Sequence, residues 1–287
     1  MRESLWHAFT GLCRRAYHFF AHQFLGKLLL KYGLALALLG YVLAKNWTGL
    51  KEVFARPIHV EPLLLATAIC SVGLLITFLR WHYLVRAIGL PFSRYNAIRL
   101  GLVGYYFNTF LPGSIGGDII KAYAIAKEHN RRTVAVATVL IDRIIGLWAL
   151  IWFVAIIGSV FWILDDPILH NATLKAIVVS TIVFVAVSMA IWLALGLLSE
   201  ERAARFASRL ENGSRLRGSL AELWRSCWMY RKQSRAVLVA MLVSMVGHTC
   251  WVLVFHFSVL AFRPPNPELE AGNLVEHAII VPVGMTV

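Results

Sequence analysis

The sequence predicts an all-α polytopic integral membrane protein, a helical bundle that contains one re-entrant helical hairpin. Of its 287 residues, 59% are hydrophobic and only 15% are charged, and the mean hydropathy is +0.68. Apolar runs recur that approach or exceed the roughly 20 residues needed to cross about 30 Å of hydrocarbon. A glycine-rich break with one acid and one base interrupts the apolar sequence at residues 108–121. This composition excludes a soluble enzyme.

Five apolar runs are long enough to cross a bilayer with some tilt, namely residues 28–47, 62–79, 134–164, 174–198 and 237–262. Residues 97–127 are also apolar, but Pro112-Gly113 and Gly116-Gly117 divide them into parts that are too short to cross alone. We therefore predict two half-helices there. Non-helical backbone at membrane depth must find hydrogen-bond partners in protein or in a water-filled cavity, because hydrocarbon offers none. The break therefore indicates a pathway or a binding site.

Basic loops set the predicted orientation, because Lys and Arg collect in cytoplasmic loops. The loop at residues 199–235 carries nine Lys and Arg residues, whereas residues 165–173 carry none. Bases also precede the first span, and Arg80, Arg86, Arg94 and Arg99 follow the second. The N-terminus and both ends of residues 97–127 are then cytoplasmic, so this stretch enters and leaves the membrane by one face. We predict a re-entrant hairpin with residues 112–117 at its tip.

Two basic segments have the amphipathic spacing of helices that lie on a membrane surface. One is residues 1–27, predicted to be a cytoplasmic interfacial segment, and the other is a second surface helix within residues 199–235. These loops account for the net charge of +13, which favours the membrane and its anionic lipids as partners over nucleic acid. The four cysteines lack metal-ligand spacing and the glycine break lacks the Gly-Lys-Ser/Thr of a phosphate-binding loop, so we expect neither metal nor cofactor.

Two charged pairs lie within apolar sequence and carry the functional prediction. Asp118 and Lys121 stand at i and i+3 at the start of the second half-helix, where they share a face. The N–H groups of Gly116 and Gly117 precede them and are able to receive an anion. Asp142-Arg143 lies about 14 Å along the span 134–164, at 1.5 Å per residue. Because a charge facing lipid there costs roughly 2.5 to 3.5 kcal/mol, we expect both side chains to face the bundle.

Two interpretations of these charges stay open on the sequence alone. The first is an internal salt bridge, for example between Arg143 and Asp118, that pins the hairpin to its neighbour. The second is that Arg143 and Lys121, together with the glycine N–H groups, hold a phosphate or another anionic headgroup while the lipid chains stay in the bilayer. No catalytic residue is assigned in either case.

The spacing of these residues resembles that of a known family. Asn108-x3-Pro112-x3-Gly116-Gly117-Asp118-x2-Lys121, followed by Asp142-Arg143 in a span, resembles the lysylphosphatidylglycerol synthase transmembrane region family, from about Leu28 onward. The resemblance implies an all-helical inner-membrane fold with re-entrant helices and a role in moving a lipid between leaflets. The substrate-binding and transport residues that it implies are Asn108, Pro112, Gly113, Gly116, Gly117, Asp118, Lys121, Asp142 and Arg143.

This sequence departs from the family pattern in two ways. Members that make aminoacylated lipid carry a separate soluble transferase domain, and no stretch here is large enough for one, so lipid aminoacylation is not predicted. Members also tend to carry a late Pro-Gly-Gly segment with an acidic residue in a second hairpin. Here Glu276, His277 and Pro282 open an element at residues 275–287 that we expect to be incomplete.

We therefore expect a flippase-like domain at residues 28–287 that moves an anionic phospholipid or a polyprenyl-phosphate lipid. The expected location is the inner membrane, with multiple passes and a cytoplasmic N-terminus. One alternative is a membrane enzyme that acts on a lipid-linked substrate with Asp118 or Asp142 as base. Another is a membrane assembly subunit that does not transport. The identity of the headgroup, the direction of lipid movement, the energy coupling and the formation of a homo-oligomer stay open.

Overall fold

The computed structural model describes residues 33–55, 57–110, 116–128, 132–211, 215–262 and 273–286. All regular structure in these ranges is helical, which confirms the predicted all-α class. The chain divides into two units, residues 1–58 and 59–287. In the first unit, helix α1 is the apolar helix Gly33–Lys45 and α2 is Trp47–Phe54. The predicted surface segment 1–27 lies outside the described residues, and the first predicted span, of which α1 is part, stays a prediction.

The second unit contains nine described α-helices and a short 3-10 helix at Pro167–His170. Four of these helices are long and apolar enough to cross a membrane, and each overlaps one of the four later predicted spans. The nine helices are α3 (Val60–Ala87), α4 (Arg94–Phe110), α5 (Gly116–Glu128), α6 (Arg132–Ile163), α7 (Ala172–Gly196), α8 (Glu200–Glu211), α9 (Arg215–Lys232), α10 (Ser234–Ala261) and α11 (Leu274–Thr286). The candidate spans are α3, α6, α7 and α10.

Helix α3 continues well beyond the predicted end of its span at residue 79. Phe78, Trp81, Leu84 and Val85 are all buried, and their helical spacing extends the packed face of α3 toward Ala87. Arg80 therefore lies inside the helix and is itself buried, with only 9% of its surface exposed. The prediction that Arg80 lies in the loop after this span is wrong, because the apolar face resumes after it. The side of the membrane on which this region lies stays a prediction.

Polar caps and one glycine explain where several helices begin and end. Asn171 caps α7 by accepting hydrogen bonds from the N–H groups of Thr173 and Leu174 at 2.9 and 3.2 Å. Ser93 precedes α4 and its hydroxyl accepts from the N–H of Asn96 at 3.1 Å. Gly89 follows α3 with φ of +80°, a conformation that favours glycine and that reverses the chain toward α4.

Helix α3 packs antiparallel to two other candidate spans, α10 and α6. At one end of the α3–α10 pair, the N–H of His59 donates to the carbonyl of Ala261 at 3.0 Å, and further along Gly73 lies against Cys250. In the α3–α6 pair, the indole N–H of Trp81 donates to the hydroxyl of Thr138 at 3.3 Å. The packing places the end of α3 and the start of α6 at the same end of the bundle.

Helices α4 and α5 form a hairpin in close contact. Gly117 lies so near the carbonyl of Gly104 that a Cβ on Gly117 would overlap it. The N–H of Gly117 donates to Oδ1 of Asn108 at 2.8 Å, which ties the start of α5 to the last turns of α4. The predicted turn residues Pro112 and Gly113 lie outside the described residues. The chain therefore reverses between two short helices of 17 and 13 residues.

The basic region at residues 199–235 is a pair of helices, α8 and α9, where the sequence suggested a single surface helix. Phe206 on α8 and Trp224 on α9 lie in contact, with ring centroids 4.8 Å apart. The Trp224 indole also donates to the carbonyl of Ala203 at 3.1 Å. The apolar spacing that suggested one surface helix thus includes side chains through which the two helices pack together.

We expect Gly117→Ala to destabilise the hairpin by about 1–3 kcal/mol, because the added methyl group must displace the backbone of α4. The matched control is Gly218→Ala in α9, where a Cβ meets open space, and where alanine is favoured over glycine by up to about 1 kcal/mol. The measurement is the thermal unfolding midpoint of both variants in detergent, followed by intrinsic fluorescence. Equal midpoints would contradict the close contact of the two helices.

Candidate functional site

A charged cavity of about 390 Å³ lies among α3, α4, α5, α6 and α10. Three bases and two carboxylates contribute to its wall, which gives a formal charge of +1. The rest of the wall is largely apolar or aromatic. The lining residues are Leu74, Thr77, Phe78, Arg80, Gly101, Gly104, Tyr105, Asn108, Asp118, Lys121, Asp142, Arg143 and Trp251.

The innermost charges form a hydrogen-bonded cluster. The Nε of Arg80 donates to Oδ1 of Asp142 at 2.9 Å, and the Nη2 of Arg80 donates to the backbone carbonyl of Asp142 at 3.2 Å. The Nη1 of Arg80 donates to the hydroxyl of Ser244 at 2.7 Å. Only 2% of Asp142 is exposed. Because three helices supply the bonded groups, this cluster joins α3, α6 and α10.

Lys121 of the hairpin is held against an aromatic ring. Its ammonium nitrogen lies 4.5 Å from the centroid of the Trp81 ring, within the range of a cation–π interaction. The same nitrogen lies 3.7 Å from Oδ1 of Asp118. The absence of a side chain at Gly104 leaves room for the Lys121 methylenes, with which a Cβ at that position would collide. Lys121 is therefore buried, with its ammonium group between the Trp81 ring and Asp118.

Arg143 faces the hairpin and pairs with Asp118. Its Nε lies 2.5 Å from Oδ2 of Asp118, so the internal salt bridge that the sequence suggested as one alternative does form. The two partners differ in exposure, since 47% of the Arg143 side chain is exposed against 15% for Asp118. Arg143 is thus the most exposed of the three cations in this cavity.

The structure brings together five of the residues that the sequence singled out. Asn108, Asp118, Lys121, Asp142 and Arg143 all line the one cavity. The Gly117 N–H was expected to be available to an anion, but it already donates to Asn108. Gly116 is the first residue of α5, while Pro112 and Gly113 lie outside the described residues.

Sequence reasoning missed Arg80, Trp81 and Ser244 as members of the site. The positive-inside rule assigns a base that follows an apolar run to a loop. Arg80 was therefore not considered as a residue of the site. The apolar residues that continue at helical spacing after Arg80 were the signal that it lies within the helix. Among the described residues, no three His, Cys, Asp or Glu side chains come together as a metal site would require.

The fold and this cavity define a polytopic membrane protein with a charged site inside a helical bundle. The sequence model of the family described as lysylphosphatidylglycerol synthase TM region matches residues 28–287, and the chain belongs to this family. That model describes the transmembrane region and not the aminoacyl-transferase domain. Searches of curated proteins and of solved structures returned no match.

We expect Asp142→Asn to destabilise the protein by roughly 3–5 kcal/mol, because it leaves the buried guanidinium of Arg80 without a counter-charge. The double variant Arg80→Met with Asp142→Leu should recover most of this loss, since it removes both buried charges. The measurement is the unfolding midpoint in detergent.

The control for this prediction is Glu200→Gln, which breaks the exposed ion pair with Lys232. Exposed pairs contribute about 0–1 kcal/mol, so this variant should unfold close to the wild type. A loss at Asp142 no larger than the loss at Glu200 would show that the buried cluster does not hold the bundle together.

Proposed function

We propose that this protein is a flippase-like transporter that moves an anionic phospholipid or a polyprenyl-phosphate-linked lipid between membrane leaflets. The observation that carries the proposal is the cavity with a formal charge of +1 within a bundle of apolar helices. Its volume of about 390 Å³ suits a polar headgroup. Membership of the family supports a lipid-related role for the protein in the membrane.

Lys121 and Arg143 are the residues proposed to hold the headgroup phosphate. Arginine and lysine form charge-assisted hydrogen bonds to phosphate oxygens, and these bonds are strong where water is excluded. The acyl or prenyl chains stay in the surrounding lipid. The protein therefore needs no apolar tunnel to enclose them. Transport is then downhill or coupled to an ion gradient.

The packing of α3 against α6 supports a re-entrant hairpin. Because these two helices are antiparallel neighbours, the end of α3 and the start of α6 lie at one end of the bundle. This arrangement favours a path for α4 and α5 that starts and finishes on one side of the membrane. With 17 and 13 residues, they reach only about 25 and 20 Å, less than the roughly 30 Å of hydrocarbon. We infer that the hairpin enters from the cytoplasmic face of the inner membrane, the side on which we also place the N-terminus.

Cysteine labelling tests this topology. In a background with the four native cysteines replaced by serine, Arg94→Cys and Lys127→Cys should react with an impermeant maleimide from the cytoplasmic side only. Asp165→Cys, in the exposed turn after α6, should react from the opposite side only. Labelling of Arg94→Cys and Lys127→Cys from different sides would exclude the re-entrant hairpin.

Transport is tested by fluorescent-lipid scrambling in proteoliposomes that contain the purified protein. We expect Lys121→Ala and Arg143→Ala to slow the movement of phosphatidylglycerol or polyprenyl-phosphate lipids by about 10- to 100-fold, since each variant removes a hydrogen bond to a charged group. The matched controls are Lys175→Ala, on the exposed start of α7, and Arg205→Ala, which bonds only within its own helix among the contacts described. Both controls should scramble at the wild-type rate.

The outcomes separate the proposed function from its alternatives. Wild-type rates in folded Lys121→Ala and Arg143→Ala would contradict this headgroup site. A folded wild type that moves no lipid would favour an assembly subunit, in which the Asp118–Arg143 and Asp142–Arg80 pairs serve packing alone. A change in lipid mass on incubation would favour an enzyme.

A further inference from the structure

The Asp118 carboxylate bridges the two cations assigned to the headgroup. Its Oδ2 contacts Arg143 at 2.5 Å, and its Oδ1 is directed toward Lys121 at 3.7 Å. A phosphodiester carries one negative charge spread over two non-bridging oxygens, which can contact two cations in the same way. The carboxylate thus occupies the position in which a phosphate would meet both bases.

The bonding of Asp118 is incomplete. Its Oδ1 is buried and accepts no hydrogen bond within the described part of the chain. Asp142 differs, because Arg80 donates to both its side chain and its backbone carbonyl. A buried carboxylate oxygen without a hydrogen bond costs free energy, so the hold on Asp118 rests mainly on the bond of its other oxygen to Arg143. Asp142 is built into the bundle, whereas Asp118 is not.

The two cations also differ in how closely they are packed. Lys121 is packed against Trp81 and Gly104, and stays close to Asp118 because both lie on one turn of α5. Arg143 extends from α6 with nearly half of its side chain exposed, and Asp118 is the described partner of its guanidinium. Arg143 is therefore the cation that is able to exchange one anion for another.

We propose that Asp118 is an internal substitute for the headgroup phosphate, and that a phosphodiester displaces it from Arg143 during transport. The inference rests on the proposed function. The Arg80–Asp142 pair is neutral as a unit, so Lys121, Arg143 and Asp118 together carry a charge of +1. One phosphodiester neutralises this charge, whereas a phosphomonoester, at about −1.5 to −2, would leave an excess of negative charge. The site therefore favours phosphodiester lipids, which include phosphatidylglycerol and a polyprenyl-phosphate-linked lipid whose phosphate is a diester, over phosphomonoester lipids such as a free polyprenyl phosphate.

The test is a binding measurement with short-chain phosphatidylglycerol on the full chain in detergent. If the Asp118–Arg143 pair is closed about nine-tenths of the time, Asp118→Asn lowers the apparent Kd about tenfold, because it removes the internal competitor. Adding Arg143→Ala to Asp118→Asn should abolish this gain. Wild-type protein should bind short-chain phosphatidic acid more weakly than phosphatidylglycerol. Glu200→Gln removes an exposed carboxylate and should leave the Kd unchanged.

Two results would overturn the inference, and they differ in what they say of the proposed function. Unchanged or weaker binding by folded Asp118→Asn, with the wild type still binding phosphatidylglycerol, would reject Asp118 as a competitor and leave the headgroup site intact. No binding by the wild type or by any variant would reject the headgroup site as well. If Asp118→Asn does not fold, Asp118→Ser removes the same charge with a smaller polar group and gives the same comparison.

Discussion

The buried guanidinium of Arg80 is the constraint on which the rest of the site depends. A charge in an apolar bundle must be paired and hydrogen-bonded, and Arg80 meets this requirement with Asp142 on α6 and Ser244 on α10. These bonds fix the rotation of α6 relative to α3. Arg143 follows Asp142 in sequence and is turned by about 100° around the helix axis. It therefore faces the hairpin and not the cluster.

A second constraint is the short distance between α4 and α5 in the hairpin. Gly104 and Gly117 allow the two backbones to meet, and Asn108 accepts the hydrogen bond of a helix-start N–H that would otherwise lack a partner. The absence of a side chain at Gly104 also leaves space for the Lys121 side chain, which extends to Trp81. Small residues are thus used here as they are at other helix contacts in membranes, where packing replaces the hydrophobic effect.

Apolar length and helical spacing predicted most of the fold, because a helix is the structure that satisfies its own backbone in lipid. The pairing of charges was harder to predict, since it depends on helix rotation, which the sequence leaves open. The pairing of Asp118 with Lys121 follows from their i,i+3 spacing on one helix. The salt bridge between Arg143 and Asp118 was one of the two interpretations that the sequence left open. Arg80 was misplaced because positive charge near a membrane end was taken as evidence of a loop.

Under the proposed function, the close contact of α4 with α5 has a consequence for how the site releases a headgroup. Two helices joined backbone to backbone move as a single body, and that body carries Asp118 and Lys121. Arg143 belongs to α6, which Arg80 anchors to the bundle. A tilt of the hairpin would therefore pull the two bases apart, and an anion that needs both at once would lose its hold. Under the proposed function, a division of the positive charge between these two parts of the bundle is sufficient for release.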